Sequence, residues 1–215
     1  MLFLGPDVSA RLRVLPGDAA SETANLRLVT VTGTYSSGDR YGIEGLAIHQ
    51  GEIVSARYQG WDGIMTIQDG QLQIFNRRAV SVGDARFDLT KGAERKAFIE
   101  AAKGGNLSVL QGHLLITDGR LDVKDAEGQP RFKRRILFTT KSGEIGLYDS
   151  ESAVTLYDAA TQLQGEYNVD MAFNLDMGTY DFCRIDAPEN ATRYCGFLRE
   201  DGLDKLTNLL EFQVE

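Results

Sequence analysis

The sequence predicts an α+β fold, a single domain over residues 1–215 built on a mixed or antiparallel β-sheet with hairpins and a few packed helices. Three observations predict it. Short segments alternate apolar and polar residues with a period of two. Asp-Gly and Gln-Gly dipeptides recur between such segments, where a hairpin needs residues that tolerate positive φ. Two stretches of strong helix formers carry their apolar residues on one stripe. The balance of 23 glycines against 4 prolines suits many short strands joined by tight turns and not a helical bundle. No repeat, low-complexity tract or composition shift marks a linker.

In chain order, residues 9–15 alternate and are broken by Pro16-Gly17-Asp18. Residues 26–32 alternate again and are rich in β-branched types, a second strand. A polar loop follows at 36–40, and a β-meander then runs to about residue 80. In it Gln50-Gly51 joins the runs 45–49 and 52–55, and Asp69-Gly70 joins 63–67 to 71–75. Asp118-Gly119 repeats the signal between His113–Ile116 and Leu121–Val123. The first helix spans 91–103, with Ala97, Phe98 and Ala101 on one stripe and Gly104-Gly105 as its stop. The second spans 155–164, with Thr155 as N-cap and Gly165 as its stop. Between the helices Arg135–Thr139 reads as a buried strand; after them Asp170–Asn174 reads as another. The tail at 202–206 follows neither period.

The chain is 42% hydrophobic and 25% charged, close to the globular average, which excludes a disordered polymer. Its net charge of −8 repels phosphate backbones and anionic lipid surfaces, so nucleic acid and membrane are not the expected partners, though a local basic pocket for one anion is compatible with it. No apolar run reaches the length of a membrane span, and the start Met1–Pro6 has neither the basic region nor the apolar core of a signal peptide. Cys183 and Cys195 stand 12 positions apart and read equally as one disulfide or as two buried thiols. With only His49 and His113 in the chain, no metal site is expected. Walker, Rossmann, HExxH and GxSxG patterns are absent, which removes the commonest nucleotide, zinc-protease and serine-hydrolase readings.

Four segments stand out as candidate chemistry. Asn174-Leu175-Asp176-Met177-Gly178-Thr179 puts an amide and a carboxylate at the end of an apolar strand, where side chains reach the crevice above a sheet. The same spacing is also that of an Asx turn, with Asp176 capping main-chain amides. Arg131-Phe132-Lys133-Arg134-Arg135 enters a strand; a guanidinium there suits a phosphate, and a solvated sheet edge is the plainer reading. Gln111-Gly112-His113 interrupts an apolar run, and Thr32-Gly33-Thr34-Tyr35 ends a strand on a glycine that admits close approach.

The order of these features resembles the phosphodiester glycosidase family over roughly residues 26–182. The segments that carry it are Gly33-Thr34-Tyr35, Gly112 before Leu114–Ile116 and Asp118-Gly119, Arg134 nine positions before Gly143, the helix Leu156–Leu163, and the closing Asn174-Leu175-Asp176. The chain departs from the family pattern at Thr32 (usually Asn), His113 (commonly Pro), Met177 (Gly) and Thr179 (Ser). The resemblance implies a hydrolase that cleaves a sugar-1-phosphodiester without a cofactor, in a bacterial protein that is periplasmic or extracellular. With no leader visible in this chain, a cytoplasmic location is also compatible. It implies Asp176 as the carboxylate serving the sugar centre, Arg134 as the phosphate clamp, Asn174 as a hydroxyl ligand or as the residue orienting Asp176, and His113 as phosphate donor or proton shuttle. Gly112, Gly178, Thr179, Thr32 and Gly33 would line the substrate. The alternative is a non-catalytic relative that binds phosphorylated glycans or cell-envelope polymers.

Overall fold

The computed structural model describes residues 1–5, 7–20, 27–36, 42–178, 180–187 and 191–214. Most of the polar loop at 36–40, and the candidate Thr179, lie outside the described residues. Strands β1 (Leu2–Gly5), β2 (Val8–Val14) and β3 (Arg27–Thr32) open the chain. The meander follows as β4 (Leu46–His49), β5 (Glu52–Ala56), β6 (Gly63–Gln68) and β7 (Gln71–Asn76), then a small hairpin of β8 (Val80–Val82) and β9 (Ala85–Phe87). Helix α1 (Gly92–Gly104) leads to β10 (Ser108–Thr117), β11 (Arg120–Leu121), β12 (Arg135–Thr140) and β13 (Ile145–Asp149). Helix α2 (Leu156–Glu166) leads to β14 (Val169–Leu175), β15 (Cys183–Asp186), β16 (Thr192–Tyr194), a 3-10 turn at Glu200–Lys205, and β17 (Asn208–Val214).

Strand far outweighs helix, and every ladder between these strands is antiparallel, so the mixed-sheet alternative is not the one that forms. The turns explain much of this. Gln50 and Gly51 sit at φ 47° and 80°, Asp69 and Gly70 at 49° and 79°, Asp118 and Gly119 at 50° and 74°. Two successive positive φ values match the right-handed twist of a two-residue hairpin, and such a short link can only reverse the chain.

One large sheet runs β1-β13-β12-β14-β10-β4-β5, with β6, β7 and β11 attached through β10. A smaller sheet runs β16-β15-β3-β17-β2. A continuous apolar cluster lies between them, joining Val29, Val31, Leu210 and Phe212 of the small sheet to Leu114, Leu137, Leu147, Phe173 and Leu175 of the large one. Burial of this cluster is the main force holding the two sheets face to face. Helix α2 covers the outer face of the large sheet, where Ala159, Ala160 and Leu163 meet Leu115, Ile136, Phe138 and Ala172. Phe98 and Ala102 of α1 cover Ile48, Ile64 and Val109 at the other end.

Both helices form where their patterning places them. Thr155 caps α2 with a reciprocal box: its hydroxyl accepts from the Asp158 amide at 2.9 Å and the Asp158 carboxylate accepts from the Thr155 amide. The expected stop at Gly165 falls inside the last turn, and the helix ends at Glu166. Cys183 and Cys195 form a disulfide, the first of the two readings left open by their spacing.

Candidate functional site

Strand β10 changes partners halfway along. Its first half pairs with β6, ending at Gly112 opposite Gly63, and its second half pairs with β14, starting at His113 opposite Asn174. At the handover the Leu114 amide donates to the Asp62 carboxylate at 2.9 Å, which satisfies a buried donor where β6 leaves the ladder. His113, Asn174 and the segment 61–62 are thereby gathered at one point.

The next strand adds the two charged candidates. Strand β12 pairs with β14 so that Arg135 stands opposite Leu175 and Ile136 opposite Asn174. Continuing that register by one residue sets Arg134 opposite Asp176. Side chains alternate along a strand, so Asn174 and, by the same parity, Arg134 take the outer face while Arg135 and Leu175 face the other way, and Asp176 follows one residue past the end of β14.

Asp176 is partly buried. Its amide donates to the Gly33 carbonyl at 2.8 Å, which ties the end of β14 to the end of β3. Burial pushes its carboxyl above the usual value, opposed by hydrogen bonds from the Gly178 and Ser36 amides. Asp176 therefore caps main-chain amides, as the Asx-turn reading anticipates, and burial makes its carboxyl hold a proton more readily than an exposed one.

Asn174 is almost fully buried and donates from its amide to the Tyr35 hydroxyl, while its Oδ1 has no partner among the described residues. An orphaned buried acceptor is costly and marks a place where a donor is missing. Burial pushes the Tyr35 phenol up to about 12; the Asn174 hydrogen bond lowers it, the Asp176 carboxylate raises it, and the Arg134 guanidinium lowers it. Tyr35 thus lies within electrostatic reach of both charged candidates.

Arg134 is half-buried, and burial draws its guanidinium below the usual value. Its Nε donates to the Val154 carbonyl at 3.3 Å and its Nη2 to the Pro130 carbonyl at 3.0 Å, while the guanidinium lies 5.1 Å above the Phe132 ring. No carboxylate pairs with it among the described residues. Arg135 is the opposite case. It is fully buried, takes a bidentate pair of 2.7 Å bonds to Asp149, and meets Asp181 from the other side.

His113 is about half-buried and loses basicity to burial, with the Asp62 carboxylate opposing. A neutral ring suits a hydrogen-bonding or proton-passing role better than a fixed positive charge. Its ring lies 5.3 Å from Trp61 and 6.1 Å from Tyr35, and Trp61 and Tyr35 lie 5.1 Å apart. Trp61 is held from behind. Its carbonyl accepts from Gln111 Nε2 at 2.9 Å, and its ring rests on Gly45, where an added Cβ would come within 3.0 Å of the indole. Gln111 is fully buried and also binds the Gln59 and Leu46 main chain, which fixes the loop that presents Trp61.

The backbone candidates divide. A Cβ at Gly112 would stand 2.5 Å from the Phe173 ring, so packing in the core already accounts for a glycine there. Gly33 is filled on its Cβ side by Asn208, whose Oδ1 would be 2.1 Å away and which binds the Thr34 amide at 2.8 Å. Thr32 is buried, its hydroxyl donating to the Phe182 carbonyl and accepting from the Phe182 amide. Gly178 is exposed beside Asp176, with only ordinary contact at its Cβ position.

No protein-family model and no curated protein matches the chain. Among solved structures it superimposes on the zebrafish N-acetylglucosamine-1-phosphodiester alpha-N-acetylglucosaminidase catalytic domain, auto-inhibited by its pro-peptide. The match has a TM-score of 0.58 at 15% identity over 97% of this chain and 73% of that one. What the two share is the fold. A hypothetical protein from Synechocystis superimposes at a TM-score of 0.53 and 14% identity, over 98% of this chain and 57% of that one. Trp61 and Asp62 are the residues that sequence reasoning did not single out, while Tyr35 and Gln111 stood inside candidate segments without a role of their own. The one signal available was that the chain's single tryptophan stands beside an aspartate at the mouth of a strand.

Proposed function

We propose that the chain is a hydrolase that cleaves a sugar-1-phosphodiester, a relative of phosphodiester glycosidases acting on a glycosyl phosphate. The observation that carries the reading is Arg134: a half-buried guanidinium, oriented by two main-chain carbonyls and, among the described residues, without a carboxylate against it. Desolvating a cation without a counter-ion costs stability, and an anionic group of the ligand would offset that cost. The likeness to the zebrafish catalytic domain supports the same reading at the level of fold.

In this mechanism Arg134 neutralises charge developing on the departing phosphate. A phosphate leaves readily, so the step asks little of a general acid. Asp176 serves the oxocarbenium-like sugar centre as base or nucleophile, and its raised carboxyl pKa moves it toward the range where a base works near neutral pH. Asn174, through its unpartnered Oδ1, accepts from a sugar hydroxyl. The Trp61 and His113 rings offer apolar faces to the pyranose. The Cys183–Cys195 disulfide favours an oxidising compartment, in keeping with a periplasmic or extracellular protein.

The test uses p-nitrophenyl and UDP-type sugar phosphodiesters, with release of free sugar measured directly. Because Trp61 is the only tryptophan, its fluorescence reports occupancy of the site in the same sample. Sugar release with a saturable fluorescence change supports the hydrolase. A saturable change without release supports the non-catalytic binder, and neither signal sinks both.

A further inference from the structure

We infer that the crevice between the two sheets, beside the disulfide, is a binding site for a small amphipathic anion, a carboxylate or phosphate joined to a short apolar tail. The inference does not rest on the proposed hydrolase, because the crevice opens on the face of β12 opposite to Arg134.

The crevice has a volume of about 240 Å³. Its small-sheet wall follows from register. Val29 pairs with Ile185, and Ile185 with Arg193, so the three stand in one cross-strand row; Val31 and Cys183 form the row beside it. Arg27 shares the face of Val29 and Val31 by alternation. The result is an apolar strip flanked by two guanidinium groups. Across the crevice stand Leu147 and the pair Arg135–Asp149.

The charges do not cancel. The titratable groups lining the crevice are Arg27, Arg135, Asp149, Arg193 and the amino group of Met1, so the lining carries one carboxylate against four cations. Asp149 is taken by Arg135 in the bidentate pair, which removes both from the balance. Arg27 and Arg193 have no ion-pair or hydrogen-bond partner among the described residues, so two guanidinium charges remain beside the Met1 amino group on an apolar crevice in a chain whose net charge is −8. Guanidinium forks bind carboxylate and phosphate bidentately, and the partly exposed Leu2 and Ile185 at the mouth accept a short tail above the buried Val29, Val31 and Leu147. A bare inorganic ion leaves those apolar side chains unused, and a neutral alcohol leaves the arginines unused. The competing role for Arg193, on a three-residue edge strand, is to discourage sheet-to-sheet association. That role predicts no ligand.

Isothermal titration of the full chain with hexyl phosphate, hexanoate, inorganic phosphate and hexanol separates these cases. Hexyl phosphate and hexanoate should saturate one site, with phosphate and hexanol at least about tenfold weaker. Arg27→Gln and Arg193→Gln should each weaken hexyl phosphate about tenfold, with the thermal midpoint of the ligand-free protein unchanged. Arg134→Ala should leave the binding intact, which separates this crevice from the proposed phosphodiester site. The proposal is overturned if the wild-type chain shows no saturable binding, if the double arginine variant binds hexyl phosphate as tightly as wild type, if Arg134→Ala abolishes the signal, or if inorganic phosphate binds as well as hexyl phosphate.

Discussion

Arg134 and Arg135 are consecutive in the chain and stand on opposite faces of β12, and the protein treats them in opposite ways. On the inner face Arg135 is sealed between Asp149 and Asp181, its hydrogen bonds accepted by two carboxylates and the Phe182 carbonyl. Burial opposes its charge, but the two aspartates outweigh that and raise its pKa. On the outer face Arg134 is drawn down by burial, opposed by Tyr35, and among the described residues it bonds main-chain carbonyls and lies over an aromatic ring. One guanidinium is consumed by the fold. The other is left available. Partners across the strand, and not residue type, decide which of two adjacent arginines can serve a ligand.

The largest expected effect tests the inner face. Arg135→Ala strands Asp181, which is almost fully buried, and should destabilise the protein by about 3–5 kcal/mol in urea unfolding. Arg134→Ala should cost no more than about 1 kcal/mol in the same experiment. Equal losses would erase the contrast. The second test asks whether the outer arginine acts on substrate: Arg134→Ala should lower turnover of a sugar phosphodiester by about 10²–10³-fold, the loss typical of removing one preorganised charge-stabilising donor.

The smallest effect sharpens the outer face through Asp176. Its folded-state pKa lies above the ordinary 3.8, so between those two values the folded protein keeps a proton that the unfolded chain has released. Stability contributed by this group is therefore present at low pH and lost as pH rises through the folded pKa. Asp176→Asn cannot titrate, so it should flatten that decline and be relatively more stable above it. Urea unfolding at a series of pH values checks this; a variant with the wild-type pH slope would contradict the shift.

Much of the fold was legible because it is encoded locally. Asp69-Gly70 and Asp118-Gly119 mark their hairpins by the backbone they require, and Thr155 and Asp158 cap α2 within four residues. Strands β1, β8, β9, β13, β15, β16 and β17 were not read from the sequence, and β17 shows why. Residues 208–214 pair with β2 and β3, some 180–200 positions back, and the first five are buried in succession, so the run lacks the alternation that identifies a strand. The site divides in the same way. Asn174 and Asp176 could be read from two-residue spacing at a strand end. Trp61 could not, and neither could the place of Tyr35 beside it, because both meet His113 only through the handover on β10. Nor does the run of four charges at 131–135 reveal which arginine faces inward, since alternation gives parity without naming the side.

The most direct measurement compares sugar release from a glycosyl phosphodiester by the wild-type chain and by Asp176→Asn, with Trp61 fluorescence confirming that both bind it. The account predicts saturable binding by both and a drop in turnover of about 10²–10⁴-fold in the variant, the range expected on losing a positioned acid–base group. Full turnover by Asp176→Asn would contradict it.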